Sequence, residues 1–260
     1  MFFLKFRKCH KMVSSIYPML FSFGILGFDM GLLVMMKFGF VNSLFFSLFY
    51  LLFISFIWVK DVSFESMSGQ YSFQDLRMFF HGFYLFLFSE LVLFFVIFWS
   101  FLDSSLSSLM WIGDYWCPMG ILSMDYIGMS VIASSFLMMN SQILKYARRY
   151  LFLNNFFCEI FLLMSIFIGG GFVCFQFFEY NNSPFTFLDS IYGNIFFIGT
   201  GLHGLHVFLG VCLIIISFFR LKFFNFNWFD TQIFDMSVNY WRFLEWMWGF
   251  MFSLLYIWGS

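Results

Sequence analysis

Seven stretches of about 20 or more mostly apolar residues, joined by short polar connections, dominate this chain of 260 residues. A helix rises about 1.5 Å per residue, so some 20 apolar residues cross the roughly 30 Å hydrocarbon core of a bilayer. Lipid offers no partner for backbone N–H and C=O groups, so such stretches must pair them internally, as helices do. The sequence therefore predicts an all-α integral membrane protein with seven transmembrane helices. These fall at about 16–36, 38–59, 78–102, 123–144, 154–178, 191–219 and 234–258. Asp29 and three glycines, Gly24, Gly27 and Gly31, interrupt the first. Only 10% of the residues are charged, against about 25% in a soluble domain. A net charge of -1 leaves no basic face for nucleic acid and no acidic tail for a partner.

Charge placement tests the segmentation, because Lys and Arg collect in alternate connections on the side from which a membrane protein is inserted. Lys5, Arg7, Lys8, Lys11, Lys60, Arg77, Lys145, Arg148, Arg149, Arg220 and Lys222 all fall on one side, eleven of the 13 basic residues. Lys37 lies opposite and Arg242 lies inside the last segment. This predicts an N-terminus inside and a C-terminus outside. The basic start, MFFLKFRKCHKM, has no small-residue cleavage site behind a short apolar core and reads as mature protein. The 49 Phe residues against only two Ala, Ala133 and Ala147, follow a T-rich codon bias such as an organellar genome gives. The five cysteines are scattered with no C-x-x-C pair and read as small apolar residues.

Ionisable residues inside a membrane segment are costly and usually face the protein interior, paired or functional. Glu90 lies about 12 residues, or roughly 18 Å, from the inner end of the third segment, close to the bilayer midplane. A carboxyl there without a cationic partner favours its protonated form. It serves either as polar glue between helices or as a proton-exchanging group, and position alone does not separate the two. In the sixth segment, GTGLHGLHVFLG puts His203 at a similar depth and His206 a turn below on the same face, so both can reach the level of Glu90. A metal needs more ligands than the two remaining histidines, His10 and His81, supply, so hydrogen bonding to a helix neighbour, lipid or water is expected. Thr200 and Gly204 form a small-xxx-small pair that predicts close helix contact. In NYWRFLEWMWGF, Arg242 and Glu245 at i,i+3 are expected to neutralise each other. Trp241, Trp246 and Trp248 fit an interfacial belt. Asp103, Asp114, Glu179 and Asp189 fall near outer ends and are expected to be solvated.

Several motifs in order resemble cytochrome c oxidase subunit III, of the haem-copper terminal oxidases. WVKDVSFES is similar to the family's W-x-[RK]-D-V-x-x-E-S, giving Trp58, Asp61, Glu65 and Ser66. FSELVLFFVIFWSFLDSSL resembles its third helix, with Ser89, Glu90, Phe94, Phe95 and Trp99 in matching places. FEYNNSPFTFLDSIYGNIFFIGTGLHGLHVFLG resembles its most diagnostic stretch, carrying Glu179, Tyr180, Asp189, His203 and His206. YWRFLEWMW and the closing YIWGS look like the family ending. The match covers Trp58 to Ser260 clearly and the first two helices by position. Arg148-Arg149 stands where the family usually has His-His. Tyr240-Trp241-Arg242-Phe243 with Glu245 stands where it has Tyr-Trp-His-Phe with a following Asp.

The resemblance implies a core subunit of an oxidase that reduces oxygen with electrons from cytochrome c and pumps protons. It implies no haem or copper on this chain, with haem a, haem a3 and copper centres in the catalytic subunit I and copper-bearing subunit II. Expected partners are those subunits, supernumerary subunits and phospholipids, with cytochrome c reached only through the complex, in the mitochondrial inner membrane. In the family, helices one and two splay from helices three to seven beside a lipid-filled cleft where oxygen enters. The subunit supports assembly, stability and fast proton uptake. The corresponding layout is a matrix-side tail at 1–15, a two-helix arm at 16–59, a matrix-side loop at 60–77 and a five-helix bundle at 78–260. Glu90 then takes the place of the family's intramembrane acid. Trp58, Asp61, Glu65, Ser89, Trp99, Glu179, Tyr180, Asp189, His203, His206, Trp241, Arg242 and Glu245 become structural or lipid-contacting residues. The rival from another class is a proton-coupled transporter using Glu90 and His203, against which the lack of an internal repeat counts.

Overall fold

The computed structural model describes residues 15–68, 71, 73–107, 116–118, 120–125, 127–223, 226 and 231–259, with Phe73 as backbone only. The basic tail with Cys9 and His10, Asp114 and Ser260 lie outside these residues. Among the described residues there are seven long helices: α1 (Tyr17–Phe38), α2 (Asn42–Met67), α3 (Phe73–Leu106), α4 (Met129–Phe152), α5 (Phe157–Asn181), α6 (Ile191–Lys222) and α7 (Gln232–Met251). A π-helical end, Phe252–Trp258, continues α7. Five of the seven, α1, α2, α3 from Gln74, α5 and α6, are long and apolar enough to cross a membrane. Helices α4 and α7 fall short because each carries several polar residues, Asn140, Gln142, Lys145 and Arg148 in one and Asp235, Asn239, Arg242 and Glu245 in the other. Part of that polarity is satisfied between them, where Arg148 Nε stands 2.7 Å from Asp235 Oδ1.

Helix ends depart from the expected ones for local reasons. Pro18 occupies the first turn of α1, where a missing N–H leaves no bond unmade. Gly39 closes that helix at φ 74°, its N–H bonded to Met35 O at 2.9 Å. Helix α2 runs past the expected end at 59 because the following residues contain neither Pro nor Gly. There Ser63 and Ser66 also bond back to the carbonyls of Lys60 and Ser63. Residues 60–67 of the segment expected as a loop are therefore helical, and 73–77 open α3. Helix α4 starts later than expected and takes in the basic cluster, whose Arg149 sits in the last turn, where cations face the carbonyl end of the helix.

The chain divides into two compact units, up to Arg77 and from Met78. In the first, α1 packs on α2 through the glycines that looked like interruptions. A Cβ on Gly31 would stand 3.0 Å from the Leu44 backbone, and one on Gly24 2.5 Å from Leu51 Cδ2. Small residues allow this approach where no hydrophobic force separates helix from lipid. Tyr17 stacks on Trp58 at 6.1 Å and its hydroxyl donates to Asp61, tying the start of α1 to the far part of α2. Asp29 is exposed on α1.

The second unit is built around Trp241. The indole is 0% exposed and lies between two glycines. A Cβ on Gly169 of α5 would meet Trp241 Cη2 at 2.9 Å, and one on Gly210 of α6 would meet Trp241 Cε3 at 3.2 Å. Trp248, also buried, meets Phe172 edge-on at 5.1 Å. Two of the three tryptophans expected in an interfacial belt are thus core residues, and Trp246 alone, 70% exposed, faces outward. The helical period explains the split, since positions 241 and 248 are seven apart and share a face that 246 does not. Helix α3 joins by long side chains: Phe101 on Trp116 at 5.3 Å, Phe86 on Tyr240 at 6.5 Å and Asn239 Nδ2 to Tyr84 Oη at 3.2 Å.

Candidate functional site

Glu90, on α3, meets His206, on α6, with Oε2 2.8 Å from Nε2. Of the two histidines expected near its level, His206 is the partner of Glu90, and both groups are largely buried. The other ring nitrogen, Nδ1, lies 2.6 Å from the Leu202 carbonyl oxygen. A carbonyl only accepts, so Nδ1 carries a hydrogen. The Nε2···Oε2 contact then holds one proton between two groups that can each own it. The pair is a neutral acid donating to a neutral imidazole, or a carboxylate accepting from an imidazolium, and its net charge is zero either way. Phe94 covers the imidazole at 5.3 Å between ring centres and is itself fully buried.

His203, three residues earlier, does not join Glu90. Its Nε2 lies 3.2 Å from Leu244 O on α7, so the hydrogen sits on Nε2 and donates to that carbonyl. Its Nδ1 is buried with no partner. Phe172 and Trp248 enclose the ring at 5.6 and 5.2 Å. The i,i+3 spacing that suggested a shared face thus sends the two imidazoles to different helices. Among the described residues, no three His, Cys, Asp or Glu side chains come close enough to hold a metal.

A second polar centre forms around Glu179, which was expected to be solvated and is instead 4% exposed. Ser130 Oγ donates to its Oε1 at 3.2 Å, while Tyr256 Oη and Gln176 Nε2 approach its Oε2 at 3.1 and 3.4 Å. These donors come from α4, α5 itself and the π-helical end of α7, so one carboxyl ties three parts of the bundle. Burial follows from the helix turning Glu179 inward beside Phe172 and Gln176, at i−7 and i−3. The next residue, Tyr180, donates to Thr200 Oγ1 at 2.7 Å, because the one hydroxyl hydrogen of Thr200 goes to Phe196 O at 2.6 Å.

The remaining residues divide clearly. Trp58 and Asp61 serve the α1–α2 contact, and Glu65 accepts from the Tyr71 hydroxyl at 3.0 Å. Ser89 Oγ donates to Phe86 O at 2.7 Å, and Trp99 is exposed. Asp103 is exposed at the end of α3. Asp189 is exposed too and accepts from Thr186 N at 2.6 Å, shaping the turn before α6, whose N-cap is Ser190. Among the described residues no ion pair joins Arg242 to Glu245. Arg242 points outward from the bundle, so spacing alone does not bring the two together. Nor does the Thr200–Gly204 pair seat a helix, since a Cβ on Gly204 would meet nothing within 4 Å. Sequence reasoning missed Tyr256, which reaches Glu179 across 77 residues of chain and carries no spacing signal. It also missed Asp235, whose signal was an acid in the first turn of α7, facing the basic cluster in the last turns of α4.

A family model, described as cytochrome c oxidase subunit III, matches residues 7–260. Cytochrome c oxidase subunit 3 of Rhizopus stolonifer is 31% identical over 257 residues, covering 96% of this chain and 90% of the fungal protein. The human protein of the same name is 35% identical over 205 residues, 78% of each chain. That of Pisaster ochraceus is 34% identical over 181 residues, covering 69% of this chain and 70% of its own. With almost its whole length matched, and with the paired Glu90 and His206 inside the matched region, this chain belongs to the cytochrome c oxidase subunit III family.

Proposed function

We propose that the chain works as the non-redox core subunit III of cytochrome c oxidase, respiratory complex IV, in the mitochondrial inner membrane. Its task is to support the assembly and stability of the complex and proton uptake and lipid or oxygen access to subunit I. It associates with subunits I and II. The observation that carries this reading is the family match over residues 7–260. The finer reading is a seven-span topology with the N-terminus inside and the C-terminus outside, supernumerary subunits and phospholipid as further partners, and cytochrome c reached through the complex. It is supported by the placement of eleven of the 13 basic residues, and by α4 and α7 satisfying part of their polarity on each other.

For Glu90 the geometry supports latching over ion carriage. A neutral, one-proton pair with His206 fixes α3 on α6 without placing net charge in lipid. The same pair can exchange a proton, since its proton has two owners. The transporter reading needed Glu90 and His203 as a working pair, whereas His203 is turned to the Leu244 carbonyl. The test is mild-detergent purification of the tagged chain, followed by a reduced-minus-oxidised optical spectrum. Haem a bands in the purified material are expected. A colourless chain without partners, taken from intact respiring membranes, would refute the assignment.

A further inference from the structure

Arg242 lies on α7 with its side chain exposed on the outside of the second unit. Contacts between helices fix its depth. Glu90 and His206 meet, and each stands near the middle of a long helix, α3 and α6. His203 Nε2 meets Leu244 O, so Leu244 is level with His203, one turn outward of His206. Helices α6 and α7 run in opposite directions, with Gly199 beside Leu255 and Gly210 beside Leu244. Arg242, two residues before Leu244, is therefore about 3 Å farther in, close to the level of His206 and the bilayer midplane.

A guanidinium keeps its charge throughout the physiological range. Arginines near helix ends snorkel to the headgroups, but this one is ten residues, about 15 Å, from the start of α7. At that depth a cation is expensive unless protein answers it. This chain does not: among the described residues, no hydrogen bond or ion pair reaches Arg242. Asp235, on the same face of α7, is two turns away and is taken by Arg148 of α4. Arg242 is thus a surplus cation on the edge where α4 meets α7. At the same height α4 exposes Gln142, six residues outward of Arg148. Neither helix reaches the apolarity of the five membrane-crossing ones, as expected where the outward side meets protein.

We propose that this edge, centred on Arg242, docks a spanning helix of a partner subunit that presents a carboxylate to the guanidinium at the midplane. The inference rests on the chain being a subunit of the oxidase and adds where, and by what chemistry, a partner is held. Charge selects the occupant. A lipid chain leaves the cation unanswered, and a second copy meeting the same face about a two-fold axis brings a second Arg242 to it.

The test uses the whole oxidase, purified through its haem-bearing subunit, with retention of this chain followed across a detergent series. Arg242→Leu suits the face to lipid. If lipid covers it, the chain is held as well as before or better. If a partner carboxylate faces it, that acid is stranded, and retention should fall about 30-fold or more. Arg242→Lys keeps the charge and should lose far less. In that variant a membrane-permeant carbodiimide should join the new amine to the facing carboxylate as an amide, and mass spectrometry of the product names the acid. A product with another subunit is expected. Undiminished retention of Arg242→Leu would overturn the proposal, as would a carbodiimide product that is absent or confined to this chain, such as one with Glu245. If Arg242→Leu does not accumulate, the cross-link alone decides. Haem a bands in the unaltered preparation read the oxidase assignment separately, so failure of that reading and of this one are told apart.

Discussion

Replacing Glu90 tests whether the α3–α6 link is a latch. In Glu90→Gln the carboxamide N–H can still donate to His206 Nε2, which the Nδ1–Leu202 bond leaves free to accept. In Glu90→Ala that nitrogen is stranded beside the buried Phe94 ring. Interhelical hydrogen bonds in membranes average about 0.6 kcal/mol and reach about 1.7, and a buried polar atom left unmade costs about 1–3 kcal/mol. The Ala variant should therefore lose about 1–3 kcal/mol in the attachment of α3, and the Gln variant well under 1 kcal/mol. The assay is a thermal series on the purified oxidase, following release of this chain and turnover. It should be run for Glu90→Gln, Glu90→Ala, His206→Ala and the double alanine variant. Coupling is expected, the double variant costing less than the two single ones together, because each single change strands the other partner. If Gln damaged stability or turnover as much as Ala, or if the two alanine changes added independently, the latch reading would be refuted and the shared proton would become the better explanation.

The other predictions concern packing, charge and one thiol. Gly31→Leu should separate α1 from α2, because the Leu44 backbone cannot yield, and the loss should appear as protease sensitivity of the first unit. Gly169→Ala should destabilise the second unit by about 1–3 kcal/mol through overpacking against Trp241 and Val211, whereas Gly204→Ala should leave its melting temperature unchanged or raised. Arg148 and Asp235 are 42% and 15% exposed. Removing Arg148 strands the mostly buried Asp235 and should cost about 1–3 kcal/mol, with recovery when Arg148→Asp and Asp235→Arg are combined. Cys117, outside the expected spans, has its thiol pushed up by burial. Thiolate is the reactive form, so alkylation at pH 8 should be slower than for a free cysteine and should accelerate at higher pH, whereas equal rates would sink the assignment.

Much of the fold was legible because hydrocarbon imposes one coarse rule on sequence. Apolar length placed α1, α5, α6 and α7 with its π-helical end to within a few residues and α3 to within about five, and the depth argument put His203 and His206 both near the level of Glu90 without separating them. It did not show how polarity inside the bundle is answered where the partner is another helix instead of water. Helix α4 carries Arg148 and α7 carries Asp235, and only their distance in space shows why either is tolerated in a bundle. Glu179 illustrates the same limit: its nearness to a helix end suggested solvent, while Tyr256, remote in sequence, takes it inside. Glycine was read with the wrong sign in both directions. Those at 24 and 31 break nothing and join two helices, while the one at 204 joins nothing and leaves a groove. Spacing along one helix fixes direction around its axis, but not what stands there.

The seat of Trp241 between Gly169 and Gly210 bears on the order in which the protein can be made. Helices α5 and α6 emerge during synthesis before residue 241 exists, so the notch they form is vacant until the seventh helix arrives. Gly169 lets α5 come close to Val211 of α6, and the space left beside that contact is filled only when the indole arrives. Completion of the bundle is thus postponed to the end of translation. A nascent chain halted before α7 would leave the space beside Gly169 and Gly210 open.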